Sequence, residues 1–89
     1  MKTRPGFILR EVANHHVVIP VGKAAVDFSG MLTLNGTGAF LWELLSEERT
    51  KEELLDAMTR KFEVTSEQAS SDIDIFLAIL RDNGLLLEN

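Results

Sequence analysis

With 89 residues, 45% of them hydrophobic and 26% charged, the chain has room for one hydrophobic core, expected as a single domain over residues 1–89, and is too apolar to be disordered. It contains no cysteine, which excludes disulfides, thiolate metal sites and a cysteine nucleophile. Its 14 acidic residues outnumber the 9 basic ones for a net charge of −5, and the basic residues are scattered, so a peptide, protein or small molecule is the expected partner rather than nucleic acid.

The N-terminus, Met1 to Gly6, has no apolar signal region, and no run of about 18 apolar residues occurs. A soluble, cytoplasmic protein without a membrane partner is expected. Residues 7–34 read as a β half. "FILREV" (7–12) and "HHVVIPV" (15–21) flank Ala13-Asn14, a hairpin turn. "AAVDF" (24–28) and "MLTL" (31–34) flank Ser29-Gly30, read as a second tight turn. Pro20 has no N–H for a ladder, so its strand is an edge or is bulged there. The expectation is an antiparallel sheet of three or four short strands followed by three helices.

After Leu34 the hydrophobic period changes from two to about 3.6. Asn35 is a natural N-cap, Gly36 and Gly38 are expected to let the chain turn closely, and Phe40, Leu41, Leu44 and Leu45 share a face. A second helix opens at Thr50-Lys51-Glu52-Glu53, a capping box, with Leu54, Leu55, Met58 and Phe62 inward. A third opens at a second capping box, Thr65 to Gln68, and runs to Asn83, where Gly84 suits the left-handed stop. The apolar tail "LLLE" should dock on the core.

That third helix carries more apolar surface than one contact needs. Ile73, Phe76, Leu77 and Leu80 form a core stripe, yet Ile75 and Ile79 point elsewhere. Such a helix requires contacts on a second side. Either the strands and the tail provide them, or the surface is kept for a partner or a second copy of the chain.

The sequence offers little for catalysis. His15 and His16 are adjacent, so on a strand they face opposite sides and cannot chelate one metal. Asp72 and Asp74 diverge on a helix, and Glu52-Glu53 suit a helix start. "NGTG" lacks the third glycine and the following Lys-Ser/Thr of phosphate loops. Trp42 is expected to pack at the sheet or a helix junction. Neither an enzyme nor a cofactor is implied.

The ordered set "MLTLNGTGAFLWELL", "RTKEELLDAMTRKFEV" and "DIDIFLAILRDNGLL" resembles the PqqD family over about residues 24–87. The matching elements are Leu34-Asn35, Thr37-Gly38, Leu41-Trp42-Glu43-Leu44-Leu45, Thr50, and Asp72 to Leu86. The preceding "FILREVANHHVVIPVGK" is longer than the single first strand of the quinone-pathway members.

The resemblance implies an α+β, winged-helix-like peptide-binding domain, also called a RiPP recognition element. Such proteins bind the leader of a ribosomally made precursor peptide and deliver it to a modifying enzyme, in the founding system a radical S-adenosylmethionine enzyme on the way to pyrroloquinoline quinone. The leader adds as a strand to a sheet edge, here Met31, Leu32, Thr33 and Leu34. A helix wall then follows from Asp72, Ile75, Phe76, Ile79 and Asn83. Two rivals share the fold. A winged-helix DNA-binding or regulatory module would need a basic recognition helix, and the third helix has only Arg81 against Glu67, Asp72, Asp74 and Asp82. A structural homodimer would pair through the same strand edge.

Overall fold

The computed structural model describes residues 1–28 and 31–88. Its elements follow as β1 (Lys2–Thr3), β2 (Phe7–Val12), β3 (His15–Pro20), α1 (Ala24–Asp27), β4 (Leu32–Leu34), α2 (Gly36–Leu44), α3 (Lys51–Lys61), α4 (Ser66–Asp82) and β5 (Leu86–Leu87). The three-stranded sheet precedes the three longer helices, the winged-helix-like α+β order expected, while a short helix, α1, interrupts the sheet before β4 and a last strand, β5, follows α4. The proposed turn at Ser29-Gly30 lies outside the described residues.

The hairpin forms where its turn chemistry allows. Ala13 and Asn14 take φ of 50° and 68°, the left-handed pair that a two-residue turn between twisted strands requires. Val12 then stands across from His15, and the sheet continues in the order β2-β3-β4. Val21 N–H donates to the Gly6 carbonyl at 2.8 Å. Antiparallel pairs alternate between bonded and non-bonded, so Ile8–Ile19, Arg10–Val17 and Val12–His15 are the bonded pairs between β2 and β3. His16 and Val18 therefore turn their backbone groups toward β4, where they face Leu34 and Leu32. Pro20 comes after Val18 at the end of β3, beyond the last described β4 pairing, so its missing donor interrupts no described bond between these strands.

Residues 24–28 depart from the expected strand. They form the short helix α1, closed by Ala25 N–H to Gly22 O at 3.1 Å and Phe28 N–H to Ala24 O at 2.9 Å. Two alanines favour helix, Gly22 enters it at a φ of 59°, and exposed Val26 buries nothing that would reward a strand. Phe28 still turns inward, edge-on to Phe7 at 5.1 Å between ring centroids.

The helix starts follow local rules. Asn35 Oδ1 accepts from Gly38 N–H at 2.8 Å, and Thr50 and Glu53 complete the capping box of α3. At α4 only half of the expected box forms. Thr65 Oγ1 accepts from Gln68 N–H at 3.1 Å, while the Gln68 amide donates forward to Asp72 at 2.9 Å instead of back to Thr65. The helix ends as expected, with Gly84 at a φ of 70°. Gly84 N–H bonds Arg81 O, and Leu85 N–H bonds Leu80 O, the two bonds of a Schellman stop.

Leu41, Leu45, Leu54, Met58, Ile73 and Leu80 are the centre of the core, joined by Trp42, Phe76, Leu77 and Leu85 from the helical half and by Val18 and Leu34 from the sheet. The tail docks through Leu85, as expected. It also does something the sequence did not announce: Leu86 and Leu87 pair with Thr3 and Lys2, and Thr3 N–H donates to Leu45 O at 2.9 Å. No helix of the described residues is long and apolar enough to cross a membrane.

Candidate functional site

The ladder register decides what β4 offers. Leu32 and Leu34 spend their backbone groups on β3, so the N–H and C=O of Thr33, across from Val17, point to the open edge. Met31 stands at the start of this edge with 68% of its surface exposed. Edge strands are normally blunted by charge or proline, and 31–34 contain neither.

Beside this edge runs α4. Ile75 and Ile79, at 58% and 38% exposure, are the surplus apolar residues noted in the sequence, and both stay open to solvent among the described residues. With Leu34, Leu41 and Phe76 they wall a depression of about 180 Å³. Its polar lining is Asn35, Thr37 and Asp72. Those groups are already engaged: Thr37 Oγ1 donates to Asn35 Oδ1 at 3.0 Å, and Asp72 accepts from Gln68.

A smaller depression, about 80 Å³, lies at the other end of β4 between Met31, Leu32, Phe28 and Asn83. The Asn83 amide donates to Ile79 O at 2.8 Å, which holds it against its own helix. Asp72, Ile75 and Ile79 thus accompany Leu34, and Asn83 accompanies Met31 and Leu32. The helix runs antiparallel along the strand, with a pocket at each end.

Of the nine residues singled out from sequence, eight line one or other of these depressions. Phe76 and Leu34 are buried and belong to the core as much as to the pocket. Thr33 is the exception, because its side chain lies on the opposite face of the sheet with Val17 and Arg10. It offers the groove its backbone only. Sequence reasoning missed Phe28 and Leu41 as lining residues, and Gly38. A Cβ on Gly38 would meet Asn35 Oδ1 at 3.1 Å, Leu34 Cβ at 3.3 Å and Phe76 Cδ1 at 3.6 Å. The glycine therefore sets how closely α2 approaches the pocket. Gly36, expected to matter equally, has open space around it and no left-handed φ.

Asp72 is the one charged residue among the described residues lining the two depressions. Lys51 pairs with Asp74 at 2.7 Å, tying α3 to α4. At the start of α3 the Thr50 backbone N–H donates to Glu53 and holds its carboxyl below the ordinary glutamate range. Among the described residues no cluster of three or more His, Asp or Glu side chains is placed to hold a metal ion.

The family model of coenzyme PQQ synthesis protein D (PqqD) matches residues 15–86, reaching upstream of the segment that carries the resemblance in sequence. No curated protein matches the chain significantly. Among solved structures, TbiB1 in complex with the TbiA(beta) leader peptide aligns with a TM-score of 0.76 at 22% identity, covering 100% of this chain and 98% of that one. Lasso peptide synthetase B1 complexed with the leader peptide aligns with a TM-score of 0.73 at 21% identity, covering 98% and 96%. At these identities the likeness is one of fold.

Proposed function

The chain belongs to the PqqD family, and from that premise we propose that it binds the leader segment of a ribosomally made precursor peptide as an added strand. It holds the leader in the cytoplasm for a peptide-modifying enzyme, a radical S-adenosylmethionine enzyme or another class, and works by binding rather than by catalysis. The observation that carries this reading is the pairing of an uncharged open edge, Met31–Leu34, with the uncovered apolar side of α4 at Ile75 and Ile79. Each oddity accounts for the other once an extended peptide lies between them. Both similar structures hold leader peptides, which supports the same occupant here.

The two kinds of contact do different work. A backbone bond to Thr33 contributes about 0.5–1.5 kcal/mol net, whereas a Leu- or Phe-sized side chain buried in a pocket contributes about 1.5–3 kcal/mol. A micromolar complex needs about 8 kcal/mol net of binding costs. The pockets beside Leu34 and Leu32 therefore supply most of the affinity and choose the sequence, and the strand edge sets the register.

Titration of the leader encoded beside this protein, followed by amide shifts, tests the reading. Shifts should concentrate in Met31–Leu34 and along α4 from Asp72 to Asn83. Absence of binding at high micromolar concentration, or shifts confined to residues 7–20, would overturn it. Trp42 is buried in the core and lines neither depression, so its fluorescence is the poorer reporter.

A further inference from the structure

The three-stranded sheet has a second face, turned away from the core. Arg10, Val12, Val17, Ile19, Met31 and Thr33 lie together on it around a shallow depression of about 540 Å³. Val17 is only 6% exposed although it is not part of the core cluster, so its neighbours on this face shelter it. Val12 at 56% and Met31 at 68% are open. The one formal charge among the lining residues is Arg10.

We infer that this face is the docking surface for the enzyme that modifies the leader-bearing peptide, and that the enzyme presents an apolar patch with a carboxylate for Arg10. The inference rests on the strand-addition reading above. Met31 and Thr33 belong to both the edge and this face, so the face is continuous with the groove. A leader strand on β4 would turn alternate side chains onto it. The eight lining residues fall short of the roughly 20–30 residues a side of a stable interface. An added strand enlarges the surface, and the enzyme should therefore prefer the loaded protein to the empty one.

Charge separates this occupant from a second copy. Two copies stacked through this face would enclose two Arg10 guanidiniums, and the lining residues include no carboxylate. A buried unpaired charge is strongly unfavourable. A partner that brings its own acidic group removes that cost.

The test uses the peptide-modifying enzyme and the synthetic leader encoded in the same gene neighbourhood. Val12→Glu and Arg10→Glu alter exposed positions on β2 that line neither groove depression. Each should weaken enzyme binding roughly tenfold or more and leave leader affinity, read by anisotropy of a labelled leader, within about twofold. The unmodified protein should bind the enzyme more tightly with leader present. Unchanged enzyme affinity in both variants, or no enzyme binding to the loaded protein, would overturn the inference. So would a homodimer that Val12→Glu dissociates in sedimentation. Failure of the unmodified protein to bind leader would instead sink the strand-addition reading, and the variants' affinities for the enzyme without leader would still judge the face.

Discussion

Thr33 stands directly across from Val17 in the β3–β4 ladder, and because Val17 exchanges its backbone bonds with Arg10, Thr33 is left facing the open edge. The neighbouring Leu32 and Leu34 are bonded inward. Proline substitution should separate the two situations. Thr33→Pro removes a donor that no ladder bond uses, and should leave the fold intact while weakening leader binding about 2- to 13-fold, the equivalent of one hydrogen bond. Leu32→Pro removes a ladder donor to β3 and should lower unfolding stability by about 1–3 kcal/mol. Denaturant titration and leader anisotropy measured on both variants check the register. Equal effects on stability would show that it is wrong.

Two isoleucines two residues apart on α4, one in the core and one outside it, divide binding from stability in the same way. Ile73 is fully buried and Ile75 is mostly exposed. Ile73→Ala should cost about 2–5 kcal/mol of stability. Ile75→Ser should change stability by no more than about 0.5 kcal/mol and yet reduce leader affinity severalfold. Ile79→Ser, with only 38% of the isoleucine surface exposed, should reduce affinity likewise at a larger stability cost of about 1–2 kcal/mol. A leader that binds both serine variants as well as the unmodified protein would place the contact elsewhere.

What could be read from the sequence was what depends on near neighbours. Asn35, Thr50 and Gly84 cap or stop their helices through bonds within a few residues, and Ala13-Asn14 turn the hairpin by their own backbone angles. The surplus of Ile75 and Ile79 was visible because helical periodicity needs no partner to be counted. The pairing of Lys2 with Leu87 was not readable, since two-residue strands at opposite ends of the chain carry no local pattern. Nor was the helix at Ala24–Asp27, where a short run with apolar residues suits strand or helix until packing decides. The site followed the same division. Its residues could be named, but that Thr33 faces outward by its backbone and away from the groove by its side chain depends on the register that Gly6 and Val21 help to define.

Gly36 and Gly38 are alike in sequence and unlike in space, which predicts opposite responses to one substitution. Gly36→Ala meets no atom within 4 Å and should raise stability by about 0.4–1 kcal/mol through the unfolded chain. Gly38→Ala gains the same entropic advantage but drives a methyl against the Asn35 cap and the Leu34 Cβ. Crowding of this kind costs about 1–3 kcal/mol, more than the gain, so its melting temperature should fall. It should also narrow the pocket beside Leu34 and weaken leader binding. Two variants with the same sign would mean that α2 shifts freely to admit the methyl.

Glu53 offers a pH test of the α3 start. Its carboxylate accepts from the Thr50 backbone N–H at 3.0 Å, and Thr50 Oγ1 accepts in return from Glu53 N–H at 3.2 Å. The backbone bond is the main reason that its pKa lies below the ordinary value, with the Thr50 side chain and the Arg49 charge adding to it. A carboxyl depressed on folding stabilises the folded state above its unfolded pKa, and that contribution fades as pH falls through the lower folded value. The Glu53 side chain and the Thr50 amide proton should therefore titrate together in NMR spectra, with one midpoint below that of an ordinary glutamate. In Glu53→Gln the Thr50 amide should lose this acid-range response, because the replacement side chain has no proton to gain. A Glu53 midpoint at the ordinary value would mean that the reciprocal box is not closed in solution.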